Sequence, residues 1–76
     1  MLDFKSLASL FFFKSARLSE KANKAFDWGD QEIGIKYAAQ SGAYFDAFVS
    51  TCTEGRLDVN RLQLELANKF KEEIND

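Results

Sequence analysis

Apolar residues recur at helical spacing in three stretches of this chain. When residues are placed at steps of about 100° around an axis, the apolar positions of each stretch gather on one face, which is typical of amphipathic helices. The three stretches predict helices at about residues 3–27, 30–53 and 58–74. Short glycine-containing turns join them, so consecutive helices should run antiparallel. We therefore predict one all-α domain, a small three-helix up-down-up bundle covering residues 1–76.

The residues at the predicted helix ends support these boundaries. Asp3, Asp30 and Asp58 stand at the three starts, where an aspartate side chain accepts a hydrogen bond from an unpaired backbone N–H. Gly29 and Gly55 follow the ends of the first two helices, where glycine commonly terminates a helix. The chain contains no proline, so no proline kink is expected within any helix.

Each predicted helix has a core face. The face of the first helix holds Phe4, Leu7, Ala8, Phe11, Leu18, Ala22, Ala25 and Phe26. The face of the second holds Gly34, Ala38, Ser41, Gly42, Phe45, Phe48, Val49 and Cys52. The face of the third holds Val59, Leu62, Leu66, Phe70 and Ile74. The main structural alternative is a break in the second helix at Ser41-Gly42.

The small residues near the first turn predict the register of the first two helices. An antiparallel hairpin places Ala22 and Ala25 opposite Gly34 and Ala38, so the two backbones can approach closely there. Farther from the turn, bulky residues face bulky residues and the helices should diverge. We expect the third helix to dock in the wedge between them, and Trp28 to cover the turn.

The composition narrows the chemistry available to the chain. Its 8 Phe, 2 Tyr and 1 Trp, with 46% apolar residues overall, argue against disorder. The absence of histidine and the single cysteine exclude histidine-based triads, histidine–cysteine zinc sites and an internal disulfide. Cys52 should be a small buried hydrophobe, and Asp27, Asp30 and Glu32 lack the spacing of a calcium loop. We expect no cofactor, no metal and no enzymatic activity.

The most concentrated apolar run spans Leu7 to Phe13. A transmembrane helix needs about 20 apolar residues, so this run is too short to cross a bilayer. The start of the chain also lacks the cationic segment and the cleavage site of a secretory signal peptide. We therefore expect a cytoplasmic protein.

Several apolar residues of the first helix fall outside its predicted core face, and they suggest a binding surface. Leu10 and Phe12 flank that face, and Phe13 points away from it. A basic row at helical spacing follows these three residues along the helix. We predict that a partner protein binds here, with apolar anchors and a basic rim provided by Leu10, Phe12, Phe13, Lys14, Arg17 and Lys21. Burial of the same residues in a homodimer, or contact with a membrane surface, are the alternatives.

The charges are unevenly distributed along the chain. Residues 1–26 contain five basic and two acidic side chains, whereas residues 27–76 contain five basic and ten acidic ones. The formal net charge of −2, and the absence of a phosphate-binding glycine loop, argue against nucleic acid as a partner. The asymmetry could instead favour antiparallel self-association or attract an acidic partner.

Residues 18–42 resemble a single helical hairpin of the tetratricopeptide-repeat type. The resemblance rests on the run Gly29-Asp30-x-Glu32-x-Gly34-Ile35-Lys36-Tyr37, preceded by Ala22 and Phe26. With the later run Ala67-Asn68-Lys69-Phe70-Lys71-Glu72, the stretch is also similar to the three-helix microtubule-interacting-and-trafficking domain. Both families bind peptides or partner helices between their own helices, so the resemblance implies a binding module. A compact chain without catalytic chemistry suits a small inhibitor, adaptor or subunit.

Overall fold

The structure, a computed structural model, describes the backbone of residues 3–75 and the side chains of residues 3–72. Within that range it contains three helices and no strand: α1 (Phe4–Asp27), α2 (Gln31–Glu54) and α3 (Val59–Asn75). The predicted all-α bundle and its helix boundaries are confirmed. The alternative break at Ser41-Gly42 is wrong, because α2 is continuous through it. No described helix has both the length and the apolar character needed to cross a bilayer.

Each helix begins at an aspartate, as the sequence predicts. The side-chain oxygen of each aspartate accepts a hydrogen bond from the backbone N–H three residues later, and this satisfies one of the unpaired donors of the first turn. Hydrogen bonding from Ser6 also lowers the pKa of Asp3 below its ordinary value. The three bonds run from Ser6 to Asp3 (2.7 Å), from Ile33 to Asp30 (3.2 Å) and from Arg61 to Asp58 (3.1 Å).

Each of the two turns contains one residue with a left-handed backbone conformation, but the residue type differs between them. After α1, Gly29 adopts a left-handed backbone with φ +83° and donates its N–H to the carbonyl of Phe26, a conformation that suits glycine. After α2, Arg56 takes the left-handed position with φ 55°, while Gly55 keeps an ordinary φ of −82°. Position 55 has no room for a side chain, because a Cβ there would lie 2.5 Å from the Cβ of Phe4.

This arrangement predicts opposite effects of two neighbouring substitutions. Arg56→Gly should stabilise the fold by about 0.5–1 kcal/mol, because glycine tolerates a left-handed backbone better than arginine does. Gly55→Ala should destabilise it by about 1–3 kcal/mol, because the start of α1 has to move away. Urea titrations of both variants measure the two changes, and a destabilised Arg56→Gly would contradict the described turn.

Small residues meet along the seam between α1 and α2. At its centre, the hydroxyl groups of Ser15 and Ser41 each donate to the other residue's backbone carbonyl at 2.8 Å. Seven residues closer to the turn on each helix, Ala22 and Gly34 are both buried. The predicted close approach near the turn is therefore present, although Ala38 is exposed and does not share in it.

The main core lies at the other end of the hairpin, where α3 docks. α3 runs in the same direction as α1, since Lys5 contacts Glu65 and Phe13 contacts Phe70, and it contributes two buried leucines to the core. Its predicted docking residue Phe70 places its ring 6.3 Å from that of Phe13, whereas Ile74 lies outside the residues whose side chains are described. The buried apolar cluster consists of Ala8, Phe12, Phe48, Cys52, Leu62 and Leu66.

The core face of α1 differs from the predicted one. Phe12 is only 8% exposed and packs edge-on against Phe48, with ring centroids 5.4 Å apart. Phe4 and Phe26, which the pattern assigned to the core, are 48% and 42% exposed instead. The reason is that α1 contacts two helices: α2 covers the side that carries Phe12, and α3 reaches the adjacent side at Phe13. The prediction allowed only one apolar face for α1 and therefore missed that the helix has two contact faces.

Candidate functional site

The structure separates the six residues predicted as a partner surface. Phe12 is buried in the core and Phe13 packs against it, whereas the sequence pattern placed both rings outside the core face. Their role in binding a partner stays a prediction. Leu10 is exposed. The basic residues Lys14, Arg17 and Lys21 are also exposed, but they border a different part of the molecule, a groove between α1 and α2. We call this feature the open groove.

The open groove consists of two hollows that share Lys21. The larger, of about 470 Å³, lies at the turn end and has mainly apolar walls. The smaller, of about 270 Å³, continues toward the middle of the hairpin. No side chain of α3 within residues 3–72 lines either hollow. The α1 side is formed by Lys14, Arg17, Leu18, Lys21, Lys24 and Ala25, and the turn and α2 contribute Trp28, Asp30, Ile33, Tyr37, Gln40 and Tyr44.

Two lysines of α1 reach across the groove to aromatic rings of α2. The ammonium nitrogen of Lys14 lies 5.4 Å from the ring centroid of Tyr44, and that of Lys21 lies 5.8 Å from the ring centroid of Tyr37. Such cation–π contacts are worth about 0.5–1 kcal/mol at exposed sites, so they hold the lysines loosely. The positive charges consequently stay above an aromatic floor.

Trp28 stands at the end of the groove and is 89% exposed. The prediction that it covers the turn is wrong. Its backbone ends α1 by donating to the carbonyl of Lys24, and the tight turn at Gly29 then leads directly into α2. The indole therefore projects outward beside Ile33, which is itself 44% exposed. An exposed indole next to an apolar hollow is a common feature of binding surfaces.

The electrostatic character of the groove is strongly one-sided. Four basic side chains and a single carboxylate line it. That carboxylate belongs to Asp30 and already accepts the capping hydrogen bond from Ile33. Lys24 contacts Glu20 at 3.5 Å in an exposed pair, which screens its charge only weakly. The groove is thus apolar at its floor and positive along its α1 side.

Sequence reasoning missed the α2 side of this groove, although a signal for it was present. Ile33, Tyr37, Gln40 and Tyr44 recur at intervals of four, three and four residues, which places them on one side of a helix. This stripe lies beside the core face that contains Gly34, and the periodicity of α2 does not by itself distinguish the two. A second partly apolar stripe next to a core stripe indicates a further contact surface on the same helix.

The remaining chemistry of the described residues is sparse. No group of three or more histidine, cysteine, aspartate or glutamate side chains that could hold a metal ion is found among them. Burial raises the pKa of the Cys52 thiol, which keeps it protonated and makes it a poor nucleophile. A third hollow, near Lys5 and Glu65, has mixed charges that face each other at 3.7 Å. The open groove is therefore the strongest candidate site.

Comparison with known proteins does not assign this chain to a family. The likeness of residues 18–42 to a tetratricopeptide or microtubule-interacting hairpin accordingly stays a prediction. No protein-family model, curated protein sequence or solved structure matches the chain.

Proposed function

We propose that this protein is a non-catalytic protein-binding module that holds a partner in the open groove. The observation that carries the proposal is the 470 Å³ apolar hollow beside a tryptophan that is 89% exposed. Apolar hollows with an aromatic at their rim are where protein interfaces concentrate their binding energy. A small inhibitor, adaptor or regulatory subunit acting in the cytoplasm would use such a surface.

The fold supports this role because, among residues 3–72, no side chain of α3 covers the groove side of the hairpin. α3 occupies the side of α1 that carries Phe13, and the side that carries Lys14 and Lys21 stays open. A helix laid into the open side would find apolar contacts on both α1 and α2, as in other helix-in-groove complexes. The resemblance to peptide-binding helical families favours the same role.

The role of the groove can be tested with two matched substitutions. A peptide-display library is selected on the full wild-type protein, and the enriched peptides are then titrated against Ile33→Glu and Leu64→Glu. Ile33→Glu should weaken binding about tenfold or more, because it places a charge in the hollow. Leu64→Glu makes the same change at a site on α3 that is 66% exposed, and it should leave binding unchanged.

The Ile33→Glu variant should remain folded. Residue 33 donates its backbone N–H to the capping Asp30, and a glutamate at this third helical position can bond back to the cap. Circular dichroism checks this point. Selection of no binders, or of binders that do not distinguish the two variants, would contradict the proposed function.

The two alternative roles give different results in direct measurements. Light scattering coupled to size exclusion would reveal a stable homodimer, and Trp28→Ala would then show whether the groove forms its interface. Co-sedimentation with vesicles containing acidic lipid would reveal membrane contact through the basic side of α1. A monomer that does not bind vesicles leaves a separate protein as the partner.

A further inference from the structure

The open groove has the shape of a site for a helix. Its two sides are antiparallel helices whose backbone hydrogen bonds are already satisfied, so it offers no edge to which an extended strand could add. From Lys14 to Trp28 it follows α1 for about 21 Å, at about 1.5 Å per residue. A partner helix of about 14 residues would occupy this length.

The charges of the groove specify the polar side of that helix. The basic residues on α1 recur at intervals of three, four and three residues, so they form one row along the groove. Within residues 3–72, the structure places no carboxylate within 4.0 Å of the ammonium groups of Lys14 and Lys21. Acidic side chains at the same spacing on a partner would meet this row.

We infer that the occupant of the open groove is an acidic amphipathic helix of another protein. Its apolar stripe packs on the aromatic floor formed by Tyr37 and Tyr44 and against Trp28, and its carboxylates face the basic row. This inference rests on the proposed function and names the class of partner for the same site. Opposite charges along the edge of an apolar contact raise the association rate and fix the register of the two helices.

A second copy of this chain is a poorer occupant of the groove. A two-fold symmetric dimer centred on the groove brings the two grooves together. Two grooves, each with four basic side chains and one carboxylate already used as a helix cap, would then face each other and repel. An acidic helix meets the same surface with favourable charge.

Three designed peptides test the inference. Each has about 16 residues, an identical leucine stripe and no aromatic residue; the flank carries glutamate, glutamine or lysine at the spacing of the basic row. Binding to the full protein is followed by the fluorescence of Trp28, the single tryptophan of the chain. The glutamate peptide should shift the emission to shorter wavelength and bind at least about tenfold more tightly than the lysine peptide, with affinity falling as salt rises.

Charge-reversed variants show whether the basic row is responsible. Lys14→Glu combined with Lys21→Glu should reverse the order of the glutamate and lysine peptides. Lys69→Glu combined with Lys71→Glu changes the net charge equally on α3 and should preserve the order, while circular dichroism confirms that both variants are folded.

The outcomes separate this inference from the proposed function. Binding of a peptide that Ile33→Glu weakens, without a preference for glutamate, would overturn the acidic partner and leave the groove as a binding site. A glutamate preference that survives the reversal of Lys14 and Lys21 would also overturn it. Absence of binding by all three peptides would contradict the inference, and the display selection then decides the proposed function independently.

Discussion

Phe48→Ala is expected to cost about 3–5 kcal/mol of unfolding free energy, the usual range for removing a buried phenylalanine. Phe48 is fully buried at the point where all three helices meet, and its ring contacts those of Phe12 and Phe45 at 5.4 and 5.6 Å. At about 0.05–0.15 kcal/mol per residue, a domain of this size has about 4–11 kcal/mol of stability. The variant should therefore be partly or largely unfolded at 25 °C.

Thermal and urea unfolding followed by circular dichroism measure this loss. The thiol of Cys52 gives an independent readout, because it is buried in the same cluster and should react with a thiol reagent far faster in the variant. Leu64→Ala is the control, since truncating an exposed leucine should change stability by less than about 0.5 kcal/mol. A Phe48→Ala protein as stable as the control would contradict the described core.

Gly34→Leu is expected to destabilise the hairpin by about 1–3 kcal/mol through overpacking. A Cβ at Gly34 would lie 2.6 Å from Cε1 of Phe26, so the ring has to leave its position. Phe26 is 42% exposed and can swing toward solvent, which makes a single added carbon tolerable. Gly34→Ala should consequently be nearly neutral, because its clash is offset by a helix propensity about 1 kcal/mol better. Leucine costs more than alanine because its remaining carbon atoms must also fit between α1 and α2, where Gly34 is buried.

A double-mutant cycle isolates this contact. Phe26→Ala removes the ring, so Gly34→Leu should cost less in that background than in the wild-type protein. Urea titrations of the four proteins give the coupling energy. Equal costs in both backgrounds would mean that Phe26 does not limit the space at Gly34, and an unchanged melting temperature for Gly34→Leu would contradict the close approach of α1 and α2.

Only the basic residues of the candidate site could be predicted from the sequence, and the reason is physical. The basic row of Lys14, Arg17 and Lys21 follows from helical spacing alone, and the structure places all three on the open groove. The predicted apolar anchors Phe12 and Phe13 pack instead against Phe48 of α2 and Phe70 of α3. The actual apolar residues of the site lie on α2 and at the turn, so only the packing of two helices brings them next to the basic row.

The sequence by itself determined the elements of this protein. Helix boundaries depend on local interactions, such as the capping aspartates at positions 3, 30 and 58, and on an apolar periodicity that each stretch carries independently. Short turns then allow little besides an antiparallel arrangement. The small residues Ala22 and Gly34 also indicated a part of the contact between α1 and α2, where both are buried.

The tertiary structure alone decided which side of each helix is buried. A helix with two neighbours needs two adjacent contact faces, and their positions depend on crossing geometry that periodicity does not encode. The reciprocal hydrogen bonds of Ser15 and Ser41 bring a polar pair into the seam, and Phe48 of α2 packs against Phe12 while Trp28 stays in solvent. Burial depends on contacts between residues far apart in the chain, so the open groove became visible only when the three helices were assembled.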